Sequence, residues 1–242
     1  MNSLTSWLRL MELDRLDLPE LVQRIERAEA DANVAEPRRY PGYPKWPLPR
    51  NRRRWRHSLD RVLANRRSPR KLKTQFPAIH TLGRLLQASH GITGDQFRGP
   101  APSAGGLQAV ELFVVHWQGG WLPAGVYHYD RVGHELSQLS AGTTPERWRE
   151  LVPSLHRIDG GAFLWLLIGE TQRVAEKYGE RGDRFLLLEA GHLMQNLCLV
   201  SASLGLSTVP LGACLEREIA TELRLPQTDS VLYAGVCGEP VH

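Results

Sequence analysis

The chain has 242 residues, of which 42% are hydrophobic and 23% charged, and its formal net charge is +4. These values are typical of a globular protein with one large domain or two small ones. The longest apolar run, Ala162–Ile168, is far shorter than the ~20 residues that span a bilayer. Charged residues also interrupt the N-terminal stretch where a secretory signal would be apolar. We therefore expect a cytoplasmic protein that does not associate with membranes.

The N-terminal quarter, residues 1–57, is predicted to differ from the rest of the chain. Residues 1–35 have the pattern of two short amphipathic helices, and the second places its apolar residues on one face (Leu21, Val22, Ile25, Ala28). Five prolines between Pro37 and Pro49 then exclude regular helix and central strand. This segment is predicted to be an extended arm that lies over a surface, either of this chain or of a second subunit.

Residues 58–242 are predicted to form an α+β domain, with a mixed central sheet flanked by helices. Apolar periodicity predicts helices over Ser58–Asn65, Ile79–His90, Pro145–Leu151, Arg184–Leu204 and Glu216–Leu223. Alternation or continuous apolar runs predict strands over 108–117, Gly125–Asp130, 162–170 and 230–240, with a short strand entered from 203–212. The long helix Arg184–Leu204 has more apolar surface than a small sheet can cover, which points to a subunit interface.

The cysteines and histidines do not indicate a metal site or a disulfide framework. The three cysteines (Cys198, Cys214, Cys237) are widely spaced and odd in number, and the nine histidines form no HExxH pattern. Cys198 falls within the apolar pattern of the long helix, so we expect a buried thiol there.

Two basic stretches, Arg50–Arg56 and Arg66–Lys73, account for the positive charge. Such runs bind nucleic-acid backbones or a small phosphorylated cofactor, and they also occur on solvated helix faces. Composition alone leaves these alternatives open.

Three short segments contain the residues that are best suited to bind a ligand. In the first, Arg66, Ser68 and Arg70, with Arg67 between them, can converge on one dianion. The second is Pro102-Ser103-Ala104-Gly105-Gly106 with Gln108, where small residues let a flat ring approach the backbone and Gln108 can bond its polar edge. The third is Val209–Cys214, where the backbone around Pro210, Leu211 and Gly212 can meet a ring. Taken singly, each is also an ordinary surface cluster or turn.

Together with four further motifs, these segments resemble the nitroreductase superfamily of FMN enzymes, in particular its SagB-type azoline dehydrogenases. The resemblance covers nearly the whole chain. Its further motifs, in chain order, are GITG (Gly91–Gly94), GVYHYD (Gly125–Asp130), KYGERG (Lys177–Gly182) and EAGH followed by QN (Glu189–His192, Gln195–Asn196). No single motif is decisive, but their common order is specific.

The resemblance implies a homodimer that binds FMN between its subunits through intertwined arms. The phosphate would be held by the Arg66–Arg70 element and the ring would lie against Pro102–Gly106, with Gln108 at its pyrimidine edge. The Leu211–Gly212 backbone would approach N5. The substrate would be an azoline or similar heterocycle in a peptide, with partner biosynthetic enzymes, and oxygen would reoxidise the flavin.

The same resemblance implies a catalytic role for Lys177 and Tyr178. Dehydrogenating an azoline removes a hydride from one carbon and a proton from its neighbour, so a side chain must accept the proton. A tyrosine in water ionises near pH 10, and a neighbouring ammonium favours its ionised form. Consecutive residues of a helix point apart, so the pair can converge only where the helix ends, and Gly179 provides such an end. A packed helix terminus is the structural alternative.

Glu189 and His192 lie three residues apart on the long helix. We interpret them as packing at the dimer seam, with a proton relay or ligand role as the alternative. Two other functions remain open: an NAD(P)H-dependent nitro- or quinone reductase on the same scaffold, and a flavin-free basic scaffold or nucleic-acid-binding protein, which is the less favoured.

Overall fold

The computed structural model describes residues 18–30, 36–50 and 57–241. The first predicted N-terminal helix and most of the Arg50–Arg56 run lie outside these residues. The second predicted helix is present as α1, Leu18–Ala30.

One seven-stranded sheet forms the centre of the domain. Its strands are β1 (Lys45–Pro47), β3 (Val110–His116), β4 (Gly125–Asp130), β5 (Glu135–Ala141), β7 (Phe163–Glu170), β8 (Ser207–Leu211) and β9 (Asp229–Gly238), in the order β1-β5-β4-β3-β7-β9-β8. Two short strands, β2 (Lys71–Leu72) and β6 (Asp159–Gly160), pair separately and in parallel. All ladders of the seven-stranded sheet are antiparallel, so the mixed sheet that we expected is wrong in this respect. The apolar run of β7 indicates that the strand is buried on both faces of the sheet. Such burial does not determine whether neighbouring strands are parallel or antiparallel.

Helices cover both faces of the sheet and create two cores. The helices after α1 are α2 (Leu59–Asn65), α3 (Ile79–His90), α4 (Pro145–Leu151), α5 (Thr171–Tyr178), α6 (Gly182–Ser203) and α7 (Glu216–Glu222). The first core combines α3 and α6 with one set of strand side chains, such as Leu112 and Trp165. The second combines α4 and α7 with the alternate set, such as Phe113 and Leu166. Because successive strand residues point to opposite faces, β3 and β7 contribute to both cores.

The proline-rich arm, residues 36–50, docks on its own chain. Its strand β1 pairs with β5 at one edge of the sheet, with Trp46 opposite Leu136. Nearer the N-terminal end of the arm, Arg38 forms ion pairs with Glu170 at the end of β7 and with Asp229 at the start of β9. The described part of the arm therefore has partners within its own chain, and its contact with a second subunit stays a prediction.

The helical stretch Thr171–Ser203 passes a length and composition test for crossing a membrane, with a mean hydropathy of 1.3. That criterion is weak for a single helix, since core helices of globular proteins also satisfy it. In this fold, Leu186, Leu193 and Leu197 of α6 belong to the first core. Cys198 on the same helix is buried, as predicted.

A buried acid–base pair lies within the sheet. His128 Nε2 is 2.7 Å from Glu111 Oε2, and both side chains are at most 1% exposed. Burial alone would raise the pKa of Glu111, but the hydrogen bond and charge of His128 outweigh it and lower that pKa to about 2.

A depressed carboxyl pKa stabilises the folded state above the unfolded value of 4.5, and this stabilisation disappears as the pH falls towards about 2. We therefore expect the free energy of unfolding to decrease over this window, and Glu111→Gln to lose part of that dependence. Urea unfolding between pH 6 and pH 2.5 measures it. Glu150→Gln, at an exposed ion pair, is the control and should follow the wild type. An unchanged pH dependence in Glu111→Gln would contradict the assignment.

Candidate active site

A tight loop precedes β3 and contains the predicted ring-binding residues. Ala104–Gly106 form a 3₁₀ turn in which Gly105 has φ +59° and Gly106 φ +69°. Glycine adopts this left-handed conformation without the steric cost that a Cβ imposes. Ser103 Oγ accepts a hydrogen bond from the Gln108 amide at 2.8 Å, which closes the loop. Pro102 and Gly105 are exposed, so part of the loop is accessible from outside the chain.

Helix α6 holds this loop through Glu189 and His192. Glu189 is 4% exposed, its Oε1 accepts the Val110 amide at 3.0 Å, and its carboxylate is also bonded to Ser103. Burial is the largest influence on Glu189 and raises its pKa. His192 Nδ1 lies 3.1 Å from the Pro102 carbonyl and donates to it. Both side chains therefore fix the loop, a role that the sequence interpretation as seam packing missed.

Lys177 and Tyr178 converge on the same loop. Helix α5 ends at Tyr178 (φ −120°, ψ 0°), and Gly179 follows with φ +60°. A Cβ built on Gly105 would lie 2.5 Å from Tyr178 Oη and 3.1 Å from Lys177 Nζ. The predicted convergence at a helix end is thus present. Tyr178 also packs edge-on against Phe185, with 4.8 Å between ring centroids.

The side chain of Gln108 is buried, whereas contact with the edge of a ligand ring requires an accessible amide. Its side chain is 6% exposed, its Nε2 donates to the Ala101 carbonyl, and its Oε1 accepts from Arg131 at 3.0 Å. Arg131 is itself buried and also donates to the His90 carbonyl at 2.7 Å. In this arrangement the Gln108 side chain bonds to Ala101 and Arg131 inside the protein. Its contact with the edge of a flavin ring stays a prediction.

The predicted phosphate element follows helix α2. Arg66 Nη1 donates to Ser68 Oγ at 3.2 Å, and Ser68 and Arg70 are exposed. Arg67 instead turns back to the Ala64 carbonyl at 2.7 Å. Within the described residues, no ion pair of 4 Å or less engages Arg66, Arg67 or Arg70. The element therefore keeps unneutralised guanidinium groups at the surface, as a phosphate site requires.

The third predicted segment borders a cleft. Pro210 and Leu211 end strand β8, and Gly212 is exposed, with open space where a Cβ would be. The cleft has a volume of about 340 Å³, and its lining comprises Leu187, Ala190, Leu211, Gly212, Cys214, Glu216 and Val231–Tyr233. Leu187 is 43% exposed and its neighbour Leu188 is 51% exposed. Apolar side chains of helix α6 thus reach the surface beside the cleft.

The predicted segments lie on two sides of helix α6. At 100° per residue, Glu189 and His192 point roughly 160° away from Leu187 and Ala190. The glycine loop with Lys177 and Tyr178 is therefore on one side, and the Leu211–Gly212 cleft is on the other. The phosphate element follows helix α2, which packs against α6. One chain does not bring all the predicted ring-binding segments together.

This fold, an antiparallel sheet covered by helices on both faces with a glycine loop held by a long helix, is that of a class of oxidoreductases. The family model described as "Nitroreductase family" matches residues 63–239. The chain belongs to the nitroreductase family, and it is an oxidoreductase of that flavin-dependent family.

Two curated proteins are similar to this chain in sequence. MJ1384 of Methanocaldococcus jannaschii, whose name assigns it to the nitroreductases, is 28% identical over 181 residues, which cover 70% of this chain and 85% of that protein. The microcin B17-processing protein McbC of Escherichia coli is 27% identical over 159 residues, which cover 62% of this chain and 57% of McbC.

Solved structures share the fold. A nitroreductase-family structure from Ralstonia eutropha has a TM-score of 0.71 at 24% identity and covers 82% of this chain and 90% of that one. The E. coli microcin synthetase McbBCD complex with truncated pro-MccB17 bound contains a chain with a TM-score of 0.61 at 23% identity, covering 90% of this chain and 82% of that one.

The contact at Gly105 predicts a measurable packing cost. Gly105→Ala should destabilise the protein by more than Gly205→Ala, which has φ +78° but open space around a Cβ. The control should lose roughly 1 kcal/mol from its left-handed backbone. Gly105→Ala should lose about 1 kcal/mol more, because its methyl group meets the Tyr178 hydroxyl.

Chemical unfolding of Gly105→Ala in the wild-type and Tyr178→Phe backgrounds measures this coupling. Removing the hydroxyl should reduce the excess cost, since the nearest clashing atom is gone and the flexible Lys177 side chain remains. Equal costs for Gly105→Ala in both backgrounds would place Tyr178 away from the loop.

Proposed function

We propose that the protein is a homodimeric FMN-dependent dehydrogenase of the azoline-oxidising type. Its substrate would be an azoline, or a similar C–C or C–N bond, in a peptide or peptide-like natural product. Residues 58–242 would form the FMN-binding domain, and residues 1–57 the helices and arm that dock on it. Such an enzyme would act in the cytoplasm with partner biosynthetic proteins.

The convergence of Lys177 and Tyr178 on Gly105 carries this proposal. A reductase that passes a hydride from a nicotinamide to an acceptor needs no side chain to remove a proton from carbon. A dehydrogenase does, and a phenolate, which a neighbouring ammonium stabilises, is a suitable proton acceptor. Both groups are half-buried at the loop where the flavin ring would lie.

The arrangement around helix α6 supports a site shared by two copies of the chain. The glycine loop and the Leu211–Gly212 cleft lie on opposite sides of the helix. Leu187 and Leu188 expose apolar surface beside the cleft, where a second copy of the chain would bind. Gly191 is exposed, with open space around it, which permits close approach of a second helix. A dimer that joins the loop of one copy to the cleft of the other would complete the site.

The chain's own residues fit FMN. The Arg66–Ser68 pair and Arg70 suit a phosphate, and the exposed Gly105 leaves the backbone of the loop accessible to a flat ring. Bound FMN supplies a hydride acceptor. Within that site, Pro102–Gly106 would orient the ring, and Lys177 would stabilise Tyr178 as the phenolate, which would take the proton from the substrate carbon and become a phenol.

The relatives support a peptide as substrate. McbC is named for processing microcin B17, and its complex was solved with a truncated precursor peptide bound. The chain shares only part of McbC's length, so this similarity suggests the substrate class and the use of partner proteins without specifying either.

Substitution of the proposed base tests the reaction. Tyr178→Phe and Lys177→Met should each lower kcat for oxidation of a thiazoline-containing peptide by about 100-fold or more, because general bases contribute roughly that much. FMN content should not change. Tyr43→Phe, in the arm at an exposed tyrosine, is the control. Full turnover by both base variants would refute the assignment.

Cofactor binding gives a separate test. The purified protein should show a flavin spectrum, and Arg66→Ala and Arg70→Ala should each raise the Kd for FMN by roughly 10- to 100-fold, since each removes charge-assisted bonds to phosphate. Arg61→Ala, an exposed arginine one turn earlier on α2, should bind FMN like the wild type. Fluorescence titration of the apoprotein measures the Kd, and unchanged values would remove the phosphate role.

A nitro- or quinone reductase is the second candidate, favoured by the similarity to MJ1384. Anaerobic mixing with NADPH distinguishes the two. Rapid bleaching of the flavin would favour the reductase, whereas slow bleaching together with oxidation of a thiazoline would favour the dehydrogenase.

A further inference from the structure

Arg173 links three segments that border the candidate site. It lies in the first turn of helix α5, and its Nη2 donates to the Glu36 carbonyl of the arm at 2.9 Å. Its Nη1 lies 3.4 Å from the carbonyls of Leu107 and Gln108 and donates to both. One guanidinium therefore joins the arm and the end of the glycine loop to α5.

The position of Arg173 on the helix connects these contacts to the proposed base. Residues i and i+4 lie on the same face of a helix, so Arg173 and Lys177 both face the loop. Arg173 contacts the end of the loop at Leu107 and Gln108, and Lys177 with Tyr178 meets its turn at Gly105. The helix thus contacts the loop at two points, one turn apart.

Arg173 belongs to a cluster of four charged side chains whose net charge is zero. Its Nε forms an ion pair with Glu170 at 2.8 Å, and Arg38 of the arm forms another with the same carboxylate at 2.6 Å. Asp229, at the start of β9, is paired with Arg38. The four side chains are between 2% and 16% exposed. Two cations and two carboxylates balance, which makes their joint burial tolerable, whereas removing one member would leave a buried charge unpaired.

We propose that Arg173 is a positioning residue that sets the distance between helix α5, with Lys177 and Tyr178, and the glycine loop. Arg38 supports it from the arm by fixing Glu170. The inference rests on the proposed function for its catalytic consequence, but the coupling between helix and loop exists independently of the reaction.

Two substitutions at Arg173 separate charge from geometry. Arg173→Met removes both, whereas Arg173→Lys keeps the charge but lacks the planar fork that reaches several carbonyls at once. Gln172→Met is the matched control, because Gln172 is the adjacent exposed residue and its side chain donates to Glu176 of the same helix. Arg147→Met, at an exposed surface ion pair, controls for loss of an arginine.

Hydrogen–deuterium exchange on the full chain, reconstituted with FMN, measures the coupling. Arg173→Met should increase exchange over residues 171–182 and 102–108, Arg173→Lys should do so to a smaller extent, and the two controls should match the wild type. Exchange in Arg173→Met and Arg173→Lys equal to that of the controls would overturn the proposal, and this readout does not depend on the substrate. If Arg173→Met fails to fold, Arg173→Lys carries the comparison.

Kinetics then test the consequence for the reaction. With a thiazoline-containing peptide, Arg173→Met should lower kcat by roughly 10- to 100-fold, the loss expected for a displaced catalytic group. KM should stay within about threefold of the wild-type value, and Arg173→Lys should be intermediate. Increased exchange with unchanged kcat would overturn the positioning role. A wild-type protein that does not oxidise the peptide would instead refute the proposed function, and exchange alone would then decide whether Arg173 couples helix and loop.

Discussion

The buried carboxylate of Glu189 is the interaction around which the candidate site is arranged. It accepts the first amide of β3 and a bond from Ser103, so the loop entering the sheet is fixed to the long helix at the point where the chain turns. A carboxylate withdrawn from water needs such donors to offset its desolvation. The loop consequently has one position relative to α6, and the groups that approach it from α5 can be placed accurately.

The helix that holds the loop also separates it from the third predicted segment. The Leu211–Gly212 cleft lies on the far side of α6, where Leu187 and Leu188 remain exposed. Exposed leucines beside a cleft are unfavourable in an isolated chain and are typical of surfaces that a partner covers. In the proposed dimer, the folding of one chain and the completion of its site would be two different steps.

Periodicity predicted most of the elements, in some cases to the residue, as for Ile79–His90, Gly125–Asp130 and Pro145–Leu151. Strand β5, Glu135–Ala141, was missed because its serines and glutamine do not form an apolar alternation, and its place is fixed by pairing with β1 and β4. The order of short motifs indicated where the site segments lie along the chain. Nothing in the sequence distinguished Arg173 from other helix arginines, because its role depends on carbonyls 65 and 66 residues away.

The sheet has two edges, β1 and β8, and each contains a proline, Pro47 and Pro210. Proline has no amide hydrogen, so it interrupts the row of donors that a neighbouring strand would need. Further prolines flank β1 at Pro44 and Pro49. Continuation of the sheet into a second molecule, the usual route to fibrous aggregates, is therefore disfavoured at both ends.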